Sequence, residues 1–219
     1  MKTSILFLVA LIATTLTSYS ASAMSRGRPA AEPPPATVVS YQEGDIIFIQ
    51  SQTQQAAALR EATGSVWTHV GIIVKSNSKW AVAEAIGPLK VTPLAEFIGR
   101  SKNKSYEIYR FRHFDPKTMT KNLYSVLPKY NKPYDIYFEF TEDRIYCSEL
   151  TYHVFKDVTG FDLGRIQKMK DMKLDGPLAQ ALIKKRYTDT GRDLDPEEPI
   201  ITPVSQMLDE NVYLVQSSK

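Results

Sequence analysis

His69-Val70-Gly71-Ile72-Ile73-Val74 and Trp80-Ala81-Val82-Ala83-Glu84-Ala85 are two short apolar runs with Ser76-Asn77-Ser78 between them. Runs of this length and composition, separated by turn-forming residues, read as two strands of a β-hairpin. A hairpin makes the sheet antiparallel at this point. Upstream, residues 45–49 read as another strand, opened by the turn-like Glu43-Gly44, and residues 54–62 as a short helix. Downstream, residues 93–98 suit one or two helical turns with Pro93 at their start, and residues 106–111 alternate like a strand. Residues 118–130 read as helical, with Pro128 ending or kinking the helix early. In residues 147–158 the side chains of Leu150, Val154, Phe155 and Val158 recur at helical spacing, and Gly160 suits the stop that follows. Residues 177–187 are a further helix candidate and residues 212–215 a last strand. No internal repeat is visible. Strands and helices mixed around an antiparallel hairpin point to the α+β class, an antiparallel sheet packed against helices.

The chain has 219 residues, 43% hydrophobic and 23% charged, the proportions of an ordinary globular domain with one core. A net charge of +3 is too small to argue for a nucleic-acid partner, and the Lys and Arg residues read as a solvated surface. The N-terminus departs from this average. Lys2 precedes an apolar run over residues 5–16, and a small-residue stretch ends in Ala21-Ser22-Ala23. That is the layout of a secretory signal peptide spanning residues 1–23. The run is short and threonine-rich for a membrane span; an uncleaved anchor is the alternative. No Cys ends the apolar stretch, so the bacterial lipoprotein pattern is not met. Residues 24–38, with Pro29 and Pro33-Pro34-Pro35, read as a Pro-rich linker. The folded domain is expected over residues 39–216. No second apolar stretch of spanning length follows, so the expectation is a soluble protein, exported to the periplasm or secreted.

Export draws attention to Cys147, the single cysteine. It has no partner for an intramolecular disulfide. It is a reactive thiol, an intermolecular bridge or an inert buried residue. Its setting, Asp143-Arg144-Ile145-Tyr146-Cys147-Ser148-Glu149-Leu150, places it at the start of a helix. A helix N-terminus and a nearby imidazolium both favour the thiolate, the nucleophilic form. Unpaired backbone N–H groups of the first turn can hold the oxyanion of a tetrahedral intermediate. His69, opening the first hairpin strand, is the candidate base, and Gly71 leaves room beside it. Glu84, fifteen residues on, ends the adjacent strand and can orient the ring. Each has a plainer reading that these patterns leave open: His69 as a strand histidine bonded to a backbone carbonyl, Glu84 as an ordinary strand-end carboxylate, Cys147 as packing.

His153, six residues beyond Cys147 on the same helix, is turned away from it, and His113 reads as structural or exposed. One Cys and three scattered His show no metal-ligand spacing, so no metal is expected. There is no Gly-rich phosphate loop, no G-x-S-x-G element and no cofactor motif. The acidic residues Asp135, Glu139, Glu142 and Asp143 read as a solvated loop.

Five segments in order carry a resemblance: Gly44-Asp45-Ile46-Ile47-Phe48, Thr68-His69-Val70-Gly71, Glu84-Ala85-Ile86-Gly87-Pro88, Lys132-Pro133-Tyr134-Asp135 and Tyr146-Cys147-Ser148-Glu149-Leu150. Each is weak alone; together the chain resembles the YiiX/YebB-like group of permuted papain-fold cysteine hydrolases, within the broad NlpC-type superfamily. The similarity runs over residues 44–158 and more weakly to residue 205. It implies a circularly permuted papain-like fold, in which the His precedes the Cys-bearing helix, the reverse of papain's order. It implies Cys147 as nucleophile, His69 as base, Glu84 as the group orienting His69, and Tyr146 as a residue lining the substrate pocket. The implied reaction is acyl transfer through a Cys thioester, without a cofactor. The first expected substrate is a cell-envelope (peptidoglycan-type) peptide cut by an amidase or peptidase. The second is an acyl lipid, met by an acyl hydrolase or acyltransferase. The third reading is a non-catalytic binding domain that retains the pocket.

Overall fold

The computed structural model describes residues 40–218. The expected signal peptide 1–23 and linker 24–38 lie outside these residues. The elements in chain order are β1 (Ile46–Ser51), α1 (Ala56–Thr63), β2 (His69–Ser76), β3 (Lys79–Ala85), β4 (Leu89–Pro93), α2 (Leu94–Gly99), β5 (Ser101–Phe111), α3 (Pro116–Val126), α4 (Cys147–Thr159), β6 (Gln167–Lys168), α5 (Pro177–Arg186), β7 (Pro199–Ile200), α6 (Pro203–Met207) and β8 (Val212–Ser217). Six strands form one antiparallel sheet in the order β4-β3-β2-β1-β5-β8, and β6 pairs with β7.

The quoted apolar runs form β2 and β3, paired from Ile72 opposite Ala83 to Ser76 opposite Lys79. Asn77 and Ser78 make the turn with φ of 48° and 63°, the two left-handed positions that a tight hairpin matching strand twist requires. β1 and β2 are apolar on both faces because the sheet is covered on both sides. Ile46, Phe48, Val70, Ile72 and Ala83 face a core shared with Leu123 of α3 and with Leu150, Val154 and Phe155 of α4. Ile47, Ile49, Ile73 and Val82 face the other way, onto Phe97 of α2 and Ile108. The period-2 alternation of β1 thus divides its side chains between two cores.

Gly71 sits where β2 and β3 pack closely. A Cβ there would lie 2.3 Å from Val82 Cγ1 and 3.0 Å from the Ala83 carbonyl oxygen. The space left by Gly71 therefore belongs to the neighbouring strand, not to His69. At the head of β1, Asp45 is fully buried and is held by Arg110 of β5 through Nε to Oδ1 at 2.7 Å and Nη2 to Oδ2 at 2.9 Å. This bidentate pair fixes the chain where it enters the sheet.

The helices expected from the sequence are present, with shifted ends. The candidate over 118–130 is α3, which begins at Pro116 behind an Asp115 cap and passes into a 3-10 turn at Leu127–Tyr130, around Pro128. β5 starts at Ser101 instead of residue 106. β4, β6, β7 and α6 add elements that the sequence reading left as connections.

Candidate active site

α4 begins at the thiol. Tyr146, extended at φ −111° and ψ 173°, precedes it, and the Glu149 carboxylate accepts the Tyr146 N–H at 3.2 Å. Leu150, Val154, Phe155 and Val158 bury one face of the helix against the sheet, and Gly160 at φ 78° ends it. The start of α4 is also clamped from the side. Tyr146 Oη accepts the Ile201 N–H at 3.0 Å, and Ser148 Oγ donates to the Ile201 carbonyl at 2.8 Å. Gln206 of α6 donates from Nε2 to the Ser148 carbonyl at 2.8 Å. A helix end buried in this way keeps Cys147 in one position.

The structure brings Cys147, His69 and Glu84 together. All three are buried. His69 Nε2 lies 2.6 Å from Glu84 Oε2, and the ring is near enough to Cys147 for the charges of the two groups to act on each other. The register explains the reach. Continuing the β2–β3 pairing by one step sets Glu84 opposite Gly71, two residues from His69 and on the same face. Phe97 stacks on the ring at 5.6 Å and walls it off from the far side.

Burial works against charge at each of these groups, and the partners outweigh it. Burial pushes the His69 imidazolium down, but the Cys147 and Glu84 charges hold its pKa up at about 9. Burial pushes the Cys147 thiol up. The His69 charge and the backbone N–H groups of Val70 and Ser148 bring it below the ordinary thiol range. Glu84 is held below the usual carboxylate range by His69, Thr92 and Arg100, against the same desolvation. The arrangement favours a thiolate–imidazolium pair backed by a carboxylate.

Thr92 and Arg100 carried no signal in the sequence. Thr92 Oγ1 donates to Glu84 Oε1 at 2.6 Å, and Arg100 Nη2 to the same oxygen at 2.5 Å. Arg100 also lies over the Phe97 ring at 5.2 Å. Together they give a fully buried carboxylate a reason to stay ionised. Tyr134, in the segment Lys132-Pro133-Tyr134-Asp135, also lies near the thiol. Its hydroxyl accepts from Gln55 Nε2 at 3.2 Å, and its phenol is pushed well up by burial and by the nearby Cys147 charge. Tyr134 and Tyr146 both line a cavity that reaches Cys147.

The other histidines stay apart from this cluster. His153 contacts Glu149 at 3.5 Å and stacks on Tyr130, and His113 contacts Asn211 at 3.1 Å and stacks on Phe161.

Replacing Glu84 by Gln tests whether the carboxylate matters to the thiol. The size is kept and the charge is lost. The expected result is a higher apparent pKa of Cys147 and a turnover lower by roughly ten- to a hundredfold. Iodoacetamide alkylation of Cys147 followed against pH reads the first effect. Superimposable profiles for wild type and Glu84→Gln would remove Glu84 from any role in tuning the thiol.

A six-stranded antiparallel sheet, a thiol at the start of a late helix and a histidine on an earlier strand define the class: a papain-like α+β domain in circular permutation. The chain belongs to the family described as permuted papain-like amidase enzyme, YaeF/YiiX, C92 family, whose model matches residues 40–213. The uncharacterized protein YiiX of Escherichia coli (strain K12) is 35% identical over 170 residues, 77% of this chain and 83% of that protein. A crystal structure of yiiX from Escherichia coli O157:H7, described there as a metalloprotein, superposes with a TM-score of 0.76. It is 34% identical, over 81% of this chain and 97% of that one.

That description makes a metal worth testing against the residues. Among the described residues no three His, Cys, Asp or Glu side chains gather into a metal-binding group.

Proposed function

We propose that this protein is an exported cysteine amidase that hydrolyses its substrate through a thioester on Cys147. The observation that supports the reading is the buried cluster of Cys147, His69 and Glu84, in which the imidazole is bonded to the carboxylate and its charge acts on the thiol. The family's description as amidases supports an amide as the scissile bond.

The steps follow from the charges. The Cys147 thiolate attacks the amide carbon, a C–S bond forms, and the carbonyl oxygen becomes an oxyanion. Backbone N–H groups at the start of α4 are available to receive it. The C–N bond then breaks as the His69 imidazolium gives its proton to the departing amine, leaving a thioester. Neutral His69 takes a proton from water, the hydroxide adds to the thioester carbon, and the thiolate leaves with the carboxylic acid formed. Glu84 keeps the ring in the tautomer that serves this cycle.

An acid quench during turnover of an amide substrate tests the reading. The expected product is a mass increase on the peptide containing Cys147, equal to the acyl group. Turnover with no adduct on Cys147, under conditions where acylation outpaces deacylation, would sink it.

Export rests on residues 1–23, and no helix among the described residues is long and apolar enough to cross a membrane. N-terminal sequencing of protein recovered outside the cytoplasm is expected to start at Met24, after Ala21-Ser22-Ala23. A chain retaining Met1 would mean an anchor instead.

A further inference from the structure

Three branched aliphatic side chains stand exposed around one opening. Ile86 lies in the turn between β3 and β4, Ile136 follows Pro133-Tyr134-Asp135, and Leu178 is in the first turn of α5. They are 39%, 40% and 50% exposed, and all three line an open groove that His69 also lines. None of them belongs to a core of the domain. Their segments lie far apart in the chain, so the fold gathers them at this mouth. On α5, Leu178, Ala181, Leu182 and Lys185 follow one another at steps of three and four residues and share one face of the helix. That face lines the groove.

The charges of the groove are of one sign. Its wall holds Arg100, Lys185 and Arg186 and no Asp or Glu. Arg100 is matched by Glu84, and Lys184, next to the groove, is matched by Asp189. Lys185 and Arg186 meet no carboxylate at ion-pair distance among the described residues. Arg186 donates instead to the Ile136 carbonyl and to Gln55, and lies over the Phe138 ring at 4.9 Å. A single exposed aliphatic side chain is ordinary. Three around one opening, beside unmatched cations, mark a surface that something covers.

The residue types say which cover fits. Protein interfaces draw on Tyr, Trp, Phe, Met and Arg and are depleted in Lys. The exposed members of this rim are Ile, Leu, Ala and Lys. Aliphatic side chains beside Lys and Arg suit the boundary of an anionic bilayer, where the first enter the headgroup–acyl region and the second meet lipid phosphate. We propose that the rim of the His69 groove is a docking surface for an anionic phospholipid bilayer. Ile86, Ile136 and Leu178 enter the boundary, Lys185 and Arg186 meet the phosphates, and the mouth of the groove faces the membrane. The proposal goes beyond the amidase reading and does not depend on which group attacks.

The test is flotation of the form beginning at Met24 with two kinds of vesicle, phosphatidylcholine alone and an equal mixture of phosphatidylcholine and phosphatidylglycerol. Binding to the mixed vesicles is expected to be at least about tenfold tighter and to weaken steeply as salt approaches about 1 M. Lys185→Gln is expected to weaken it about fivefold, the worth of one cation near an anionic surface. Leu178→Ser and Ile136→Ser are expected to weaken it about fivefold each without changing its salt dependence. All three positions are at the surface, a melting curve checks that each variant folds, and Ile86→Ser replaces any that does not. Arg26 and Arg28 precede the domain, so charge alone does not place the contact and the variants do. Inorganic phosphate is expected to release the protein no more than sodium chloride of equal ionic strength; specific release would put a free-phosphate site in the groove and overturn the proposal. Equal binding to both vesicles, or binding that none of the variants weakens, also overturns it. Absence of binding to either overturns it and leaves the rim to a protein partner. None of these outcomes touches the Cys147 adduct, which tests the amidase separately.

Discussion

Replacing Cys147 by Ser is expected to lower amide turnover by on the order of 10⁴-fold or more while the protein keeps its fold. The substitution removes one property, the ease of ionisation. The thiol is brought below its ordinary range by the His69 charge and by the N–H groups of Val70 and Ser148. A hydroxyl in the same place keeps those neighbours but ionises far less readily, so the attacking anion is almost never present at neutral pH. The helix start does not depend on the sulfur. It is held by Glu149 on the Tyr146 N–H, by Ser148 on the Ile201 carbonyl and by Gln206 on the Ser148 carbonyl. Thermal unfolding is therefore expected to move little. Steady-state turnover and a melting curve on the same preparation check both halves. A variant within tenfold of the wild-type rate, on a substrate that wild type demonstrably hydrolyses, would show that another group attacks.

Replacing His69 by Asn should cost nearly as much and leave a different mark. The imidazolium supplies the charge that lowers the thiol and the proton that the leaving amine needs, and general acid catalysis alone is worth roughly 10²–10⁴-fold. Without it, burial at Cys147 is opposed only by backbone dipoles, and the thiol moves up. The signs are opposite for the two groups. Cys147, lowered, holds its charge above a pKa that lies below the ordinary thiol range, and His69, raised, holds its charge below about pH 9. Wild-type kcat/KM is therefore expected to be bell-shaped, rising as the thiolate forms and falling near pH 9 as His69 loses its proton. In His69→Asn the limb near pH 9 disappears, and iodoacetamide alkylation of Cys147 shifts to higher pH than in wild type. Alkylation profiles that coincide in the two proteins would mean that His69 does not charge the thiol.

Much of this was legible along the chain because it rests on local pattern. The hairpin shows as two apolar runs around Ser76-Asn77-Ser78, and α4 as a periodic face with a stop at Gly160. A thiol at a helix start, with a histidine on one strand and a carboxylate on the next, is likewise a matter of order and spacing. Element ends were less legible. β5 extends back to Ser101 because that residue pairs with Ser51 and its hydroxyl accepts the Gln50 N–H at 3.1 Å, fifty-one residues away. β4 ends in a proline and, among the strands of the sheet, pairs with β3 alone.

The sequence by itself determined the α+β class and singled out Cys147, His69 and Glu84 as candidates, since periodicity, turn chemistry and residue type are properties of short stretches. The tertiary structure alone decided that Thr92 and Arg100 hold Glu84 and that Tyr134, Tyr146 and Cys147 line one cavity. Those contacts join segments far apart in the chain. They exist only once strand register and the docking of α1, α4 and α5 set the distances, and no local pattern encodes either.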